Sequence, residues 1–279
     1  MKYSFLRFPD FKRKAVTLSY DDGVMFDRRL MEIMDKHGLK GTFNINSGLF
    51  GKEPGGRRLT KEEAYELYAN SPHEVAVHGF RHLSLSEVEQ SMAARDVIKD
   101  REELEDMFGC VIKGMAYANG AVDDKVVEVL KTCGISYSRT TVSTESFDLP
   151  EDWLCMPATC HHKNPRLMEL AKAFVEAGDG RNFWRTTPML FYLWGHSYEF
   201  NDNNNWEIIE EFAEYIGNRE GIWYATNGEI YEYVQAFNRL QFSVSGDFVR
   251  NPSALDVYLC YRGKNMLVPA GKTICTRQE

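Results

Sequence analysis

Short apolar, β-rich runs alternate with helix-patterned segments along most of this 279-residue chain, and that alternation restricts its fold more than any other feature. The runs lie at 15–19, 41–46, 74–77, 114–117, 136–138, 189–194 and 222–225. Helical patterns occupy 26–37, 60–69, 84–107, 122–132, 206–216 and 229–237 between and after them. A strand, a helix and another strand in succession describe parallel strands joined by crossovers. Roughly seven such units predict an α/β fold, a distorted (β/α) barrel with about seven parallel strands over residues 1–237. Thr60 with Glu63 reads as a capping box, and Gly38, Gly134 and Gly221 stand where helices should stop.

After Phe237 the texture changes to alternating strand patterns at 242–249, 254–261 and 266–269, with Gly246, Gly263 and Gly271 as turn residues. Residues 238–279 are therefore expected to form a small C-terminal β appendage packed on the barrel. The stretch 141–182 contains Pro150, Pro157 and Pro165 and reads as an irregular excursion followed by one helix at 166–177. A net charge of −8 lacks the basic surplus that neutralises phosphates, which argues against nucleic acid or an anionic membrane as partner. No apolar run reaches the roughly 18 residues that span a bilayer, and the N-terminal segment lacks a signal-peptide core, so a cytoplasmic location is expected. The six cysteines form no CxxC pair, so reduced thiols are expected.

Three strand ends carry chemistry. Ser19-Tyr20-Asp21-Asp22-Gly23 leaves its run with two adjacent carboxylates, and neighbouring residues there point in different directions. One carboxylate can bind a metal while the other accepts a proton, although an Asp-Asp-Gly turn explains the same residues. His78 and His82 follow the next such run, four apart, and share a face if one helical turn follows. Two neutral imidazoles with one carboxylate make a three-ligand site of the catalytic zinc type; two hydrogen-bonded loop histidines are the simpler account. Leu193-Trp194-Gly195-His196 ends a third strand with a histidine suited to act as a general acid.

In this order the three motifs resemble those of the polysaccharide deacetylases, carbohydrate esterase family four, over residues 15–231. The resemblance implies a barrel with fewer than eight strands and a hydrolase that removes acetyl groups, N-acetyl in preference to O-acetyl, from a carbohydrate or glycoconjugate. Carried over residue by residue, it makes Asp21 the general base, Asp22, His78 and His82 the ligands of one divalent metal, and His196 the general acid. Zinc is the preferred ion for two imidazoles and a carboxylate, and cobalt, nickel or manganese suit the same donors.

The chain departs from the family where an Arg-Pro-Pro-Tyr-Gly loop aligns with Ala116-Tyr117-Ala118-Asn119-Gly120. Arg139, after the run at 136–138, is a candidate to replace the missing arginine beside Asp21. Tyr117 and Asn119 are candidate substrate contacts, the latter through its backbone amide. His161, Trp194 and Tyr198 are further candidates, with Trp184 as an additional aromatic and Glu199 as a ligand-orienting neighbour of His196. Asp152-Trp153 matches a groove-lining motif only superficially. Two rivals remain open: an amidohydrolase acting on a small non-sugar amide or ureide, which Ala116 permits, and a noncatalytic glycan-binding protein.

Overall fold

The computed structural model describes residues 4–52, 57–178 and 187–277. Its strands are β1 (Ser4–Arg7), β2 (Lys14–Asp21), β3 (Gly41–Ile45), β4 (Glu74–Val77), β5 (Gly114–Ala116), β6 (Tyr137–Ser143), β7 (Met156–Ala158), β8 (Cys160–His161), β9 (Met189–Gly195), β10 (Ile222–Tyr224), β11 (Gln241–Phe242), β12 (Phe248–Arg250), β13 (Val257–Tyr261), β14 (Lys264–Val268) and β15 (Thr273–Cys275). The helices are α1 (Asp27–Lys36), α2 (Lys61–Tyr68), α3 (Gln90–Phe108), α4 (Asp124–Thr132), α5 (Leu167–Glu176), α6 (Ser197–Asp202), α7 (Glu207–Ile216) and α8 (Asn227–Asn238).

Nine parallel strands form the main sheet in the order β7-β6-β5-β4-β3-β2-β9-β8, with β10 paired to β2. β7 and β8 stand at opposite ends of that path yet are separated in the chain only by Thr159. Thr159 donates its N–H to the Tyr192 carbonyl at 2.9 Å, and Thr144 reaches the Ala158 carbonyl at 3.0 Å, so this segment joins β6 to β9 and closes the barrel. The stretch read as an irregular excursion thus supplies a stave. Pro157 and the break at Thr159 keep each piece too short to show a strand pattern. β10, in contrast, pairs only with Lys14–Val16 of β2.

Local signals act largely as the sequence suggests. Thr60 and Glu63 exchange both capping hydrogen bonds at the start of α2. Gly38 and Gly134 follow α1 and α4 with positive φ. Gly221 does not end a helix: α7 stops at Ile216 with Gly217 as its cap, where an added Cβ would meet the His37 and Ala213 carbonyls.

The C-terminal segment forms two small antiparallel sheets, β11-β12-β15 and β1-β13-β14. β1 belongs to the second of them, so the chain's beginning is tied to its end. Tyr233 of α8 links this layer to the rest by donating its hydroxyl to the Arg7 carbonyl at 2.8 Å while accepting the Tyr258 N–H at 2.9 Å. No described helix is long and apolar enough to cross a membrane.

Beneath the carboxyl ends of the strands, Asp27 ties three elements together. It accepts hydrogen bonds from the Val24 N–H, the Tyr68 hydroxyl and the Ser197 hydroxyl, the last being the residue after His196. Burial pushes its carboxyl up to about 7 despite these donors. Because the folded value lies above the unfolded value of roughly 3.9, this group favours the fold most fully at low pH and loses that contribution as pH rises through about 7. Asp27→Asn mimics the protonated acid. It should therefore flatten the decline in melting temperature between about pH 5 and 8; an unchanged profile would show that Asp27 does not titrate there.

Candidate active site

The barrel gathers every strand-end motif at one mouth, where the carboxyl ends of parallel strands meet. Asp21 is the last residue of β2. Asn44 donates its side-chain N–H to Oδ1 at 2.8 Å, and the Arg139 guanidinium donates to Oδ2. Arg139 is fully buried on β6, in register with Ala116 of β5, and its guanidinium lies 4.3 Å above the Trp194 ring centroid. Burial alone would raise the Asp21 carboxyl. The Arg139 guanidinium foremost outweighs it and holds the group at about 2, so Asp21 is ionised at neutral pH.

Asp22 turns the chain out of β2 with φ of 88°, and its N–H is held by the Asn44 carbonyl at 2.9 Å. That left-handed turn separates the two carboxylates. Arg58 Nη2 lies 3.1 Å from Asp22 Oδ1, and the same guanidinium donates to the Asp22 carbonyl and to Asn46 Oδ1. On the facing side, His82 Nε2 and His78 Nε2 lie 3.6 and 3.9 Å from Asp22 Oδ1.

The two histidines converge without the expected helical turn. Gly79 (φ 85°) and His82 (φ 57°) make a tight loop closed by the His82 N–H on the Gly79 carbonyl. The loop is pinned from behind: Asp100 accepts the His78 N–H and both Ser47 donors, Asn46 donates to the His78 and Gly79 carbonyls, and Asp96 holds Arg81. At Gly79 a Cβ would meet the Asp96 carboxylate at 2.9 Å.

His78 Nδ1 lies 2.8 Å from the Ala116 carbonyl, which can only accept, so Nδ1 carries the hydrogen and Nε2 presents a lone pair. Burial keeps the ring neutral, lowering its pKa against the pull of Asp21 and Asp22. A bare nitrogen therefore faces carboxylate oxygens of Asp21 and Asp22, each 3.9 Å away, with no proton between them. This arrangement is repulsive until a cation enters, and the donor atoms of Asp22, His78 and His82 all lie within 4.8 Å of one another. The residues fit a divalent ion.

His196, the residue between β9 and α6, has Nε2 at 3.8 Å from Asp21 Oδ2 and Nδ1 at 3.7 Å from Glu199 Oε2. Burial opposes its charged form, but Glu199, Asp21 and Asp22 together raise its pKa above the ordinary histidine value. His161 packs edge-on against Trp194, with centroids 4.5 Å apart, and Tyr198 lies beside the His196 ring at 5.2 Å.

One candidate substrate contact, the Tyr117 side chain, takes another position, and the Asn119 side chain, unlike its backbone amide, is otherwise engaged. Tyr117 is buried, and its hydroxyl donates to the Leu154 carbonyl at 2.8 Å, so its side chain belongs to the core. Asn119 spends its side-chain amide on the Ser84 hydroxyl at 3.1 Å, while its positive φ shapes the loop after β5. Asp152 caps the turn beneath Leu154, and Trp153 packs on Tyr231, which are structural duties. Trp184 lies outside the described residues. All six cysteines are free.

Sequence reading overlooked Asn44, Arg58 and the pairing of Glu199 with His196. The i, i+3 spacing of His196 and Glu199 at a helix start was a usable signal. So was the Asn-Ile-Asn alternation that puts Asn44 and Asn46 on one side of β3. Arg58, delivered by a loop, had none.

A sequence profile of the polysaccharide deacetylase family matches residues 9–138, a segment that includes Asp21, Asp22, His78 and His82. No curated protein is significantly similar to the chain. Among solved structures, a Mycobacterium smegmatis protein classed with the polysaccharide deacetylases aligns at 18% identity and a TM-score of 0.58, covering 84% of this chain and 94% of that one. A carbohydrate esterase family 4 pseudoenzyme from Bacillus anthracis aligns at 14% identity and 0.50, covering 81% and 68%. A Streptococcus pyogenes deacetylase, solved with acetate, aligns at 17% identity and 0.41, and this chain spans only 55% of its length while 45% of this chain is covered. At these identities the first two likenesses establish the fold alone, and the pseudoenzyme illustrates that the barrel alone does not carry activity.

Proposed function

We propose that this chain, whose residues 9–138 match the profile of the polysaccharide deacetylase family, is a metal-dependent hydrolase that removes N-acetyl groups from a carbohydrate or glycoconjugate. What supports the reading is the difference in surroundings between two adjacent carboxylates. Asp22 faces two imidazoles across a gap suited to a cation, while Asp21 is engaged by Arg139 and Asn44.

Asp22, His78 and His82 would hold the ion, with zinc preferred for that donor set. A divalent ion there supplies Lewis acidity toward the acetyl carbonyl and lowers the pKa of water. Asp21, kept ionised by the buried guanidinium, takes the proton from the attacking water. Asn44 and Arg139 orient it through its two oxygens. His196 Nε2 lies 3.8 Å from Asp21 Oδ2 and the ring is biased toward its protonated form, which suits it to deliver a proton to the departing amine. An amine leaves poorly without that proton, and for this reason an amide is favoured over an ester. Trp194, stacked beneath Arg139 and edge-on to His161, serves the site mainly as a rigid support.

Acetate release from acetylated amino sugars and acetate esters, by metal-stripped protein with and without added zinc, tests the reading. Zinc-restored release from amino sugars is expected. Stoichiometric metal binding without release would favour a small non-sugar amide, and failure to bind metal would favour a glycan-binding protein. His196→Ala should retain the metal and lose about 10²- to 10⁴-fold on amides. It should lose far less on an ester with a good leaving group, and unchanged amide turnover would remove His196 from the mechanism.

A further inference from the structure

Glu199 has four nitrogen-bearing side chains around its carboxylate, of which Lys163 makes a hydrogen bond. Its Oε1 accepts from Lys163 Nζ at 2.6 Å. Its Oε2 lies 2.9 Å from His162 Nε2, 3.2 Å from His161 Nε2 and 3.7 Å from His196 Nδ1. Three of these groups come from the consecutive residues 161–163 at the end of β8, and the fourth is the histidine one turn earlier on α6's own segment.

His161, His196 and Glu199 lie close enough together to suggest a second metal site. The tautomer of His161 argues otherwise. The Lys163 N–H donates to His161 Nδ1 at 3.1 Å, so that nitrogen is bare and Nε2 carries the hydrogen toward Glu199. His162 is only 2% exposed, and burial drives its pKa down to about 4, so it stands beside the carboxylate as a neutral ring. Burial would raise Glu199. His161, His162, His196 and Lys163 reverse that and keep it ionised, well below the usual carboxylate range. The group is thus an anion held by Lys163 through Oε1, while Oε2 and His196 Nδ1 face each other 3.7 Å apart, both buried and neither in a hydrogen bond.

We propose that Glu199, held by Lys163 and flanked by His161 and His162, is the positioning residue of His196: it keeps the hydrogen on Nδ1 and so dedicates Nε2, on the Asp21 side, to the reaction. The role rests on His196 acting as the general acid. A carboxylate on one imidazole nitrogen fixes both ring orientation and tautomer, leaving the other nitrogen to exchange its proton with substrate. The arrangement also explains an otherwise unused segment, since 161–163 need not reach substrate to matter. Their duty is to prevent Glu199 from turning away from His196.

The test uses full-length protein labelled with ¹⁵N-histidine, with His196→Ala supplying the assignment. In the wild type, His196 should carry a hydrogen on Nδ1. In Glu199→Gln it should move to the Nε2–H tautomer, while zinc content stays unchanged. A His196 ring with the same protonated nitrogen in both proteins overturns the proposal. In kinetics, Glu199→Gln should lower kcat on an N-acetyl substrate about 10²-fold with KM within about twofold. It should cost nothing further in a His196→Ala background, and Glu199→Asp should recover part of the loss. Additive losses in the double variant would also overturn the proposal. If the wild type releases no acetate from any substrate, the deacetylase reading fails, whereas the tautomer measurement still decides the role of Glu199.

Discussion

Asp22→Ala should empty the metal site and abolish turnover, whereas Asp21→Asn should keep the metal at about one ion per chain and still lose roughly 10³-fold or more in rate. The contrast follows from what each carboxylate touches. Asp22 Oδ1 lies 3.6 Å from His82 Nε2 and 3.9 Å from His78 Nε2, and without it the two histidines lose the carboxylate that faces both. Asp21 Oδ2 lies 3.9 Å from His78 Nε2, but Asp21 is already engaged through both oxygens, Oδ1 by Asn44 and Oδ2 by Arg139. Asn at position 21 preserves the shape and removes the basicity. Zinc content by elemental analysis, measured beside acetate release, separates the two effects. Equal metal loss in both variants would sink the assigned division.

Arg139→Leu is expected to be the most destabilising single change at this site, because it leaves the buried Asp21 carboxylate without its principal counter-cation. Breaking a buried pair from one side costs about 3–5 kcal/mol, and at about 2–4 °C per kcal/mol for a chain of this size the melting temperature should fall by roughly 10 °C. The pH dependence should also change sign. With Arg139 present, Asp21's folded pKa of about 2 lies below its unfolded value of roughly 3.9, so the pair stabilises the protein above that pH and ceases to do so as pH falls through about 2. Without Arg139, burial raises the folded value, and the penalty grows as pH rises above the unfolded value. The deficit of Arg139→Leu in metal-stripped protein should therefore be larger at pH 7 than at pH 5. Adding Asp21→Asn should recover much of it, and a double variant no more stable than Arg139→Leu would disprove the account.

The position of Arg139 also clarifies what Ala116 means. Ala116 and Arg139 are register partners on neighbouring strands, so the guanidinium reaches Asp21 from one strand further round the barrel. Alanine at this position of β5 does not leave the carboxylate unpaired. Arg139 is wedged between Asp21 and Trp194, out of solvent.

The residues most exposed to sequence reading were those whose meaning is local. Asp21 and Asp22, His78 and His82, and His196 each sit within a few residues of an apolar run, and strand patterning alone predicts that such ends meet at one mouth of a parallel barrel. The capping box at Thr60 and the glycines after α1 and α4 were legible for the same reason, since a cap is decided by its own turn. Tertiary structure alone decided the rest. Asp21 and Arg139 are 118 residues apart, and Arg58 and Asp22 are 36 apart; no periodicity encodes which long side chain will fill the space beside a buried charge. The stave made by β7 and β8 showed no strand pattern because its register comes from β6 and β9 on either side, not from its own few residues. Tyr117 looked like a substrate contact by position and became core because its hydroxyl found the Leu154 carbonyl. Sequence by itself determined the barrel and the five strand-end groups, because element type and strand-end placement are short-range properties. Which groups orient those five was decided only when the barrel closed, because pairing buried charges depends on distances that exist only in the folded chain.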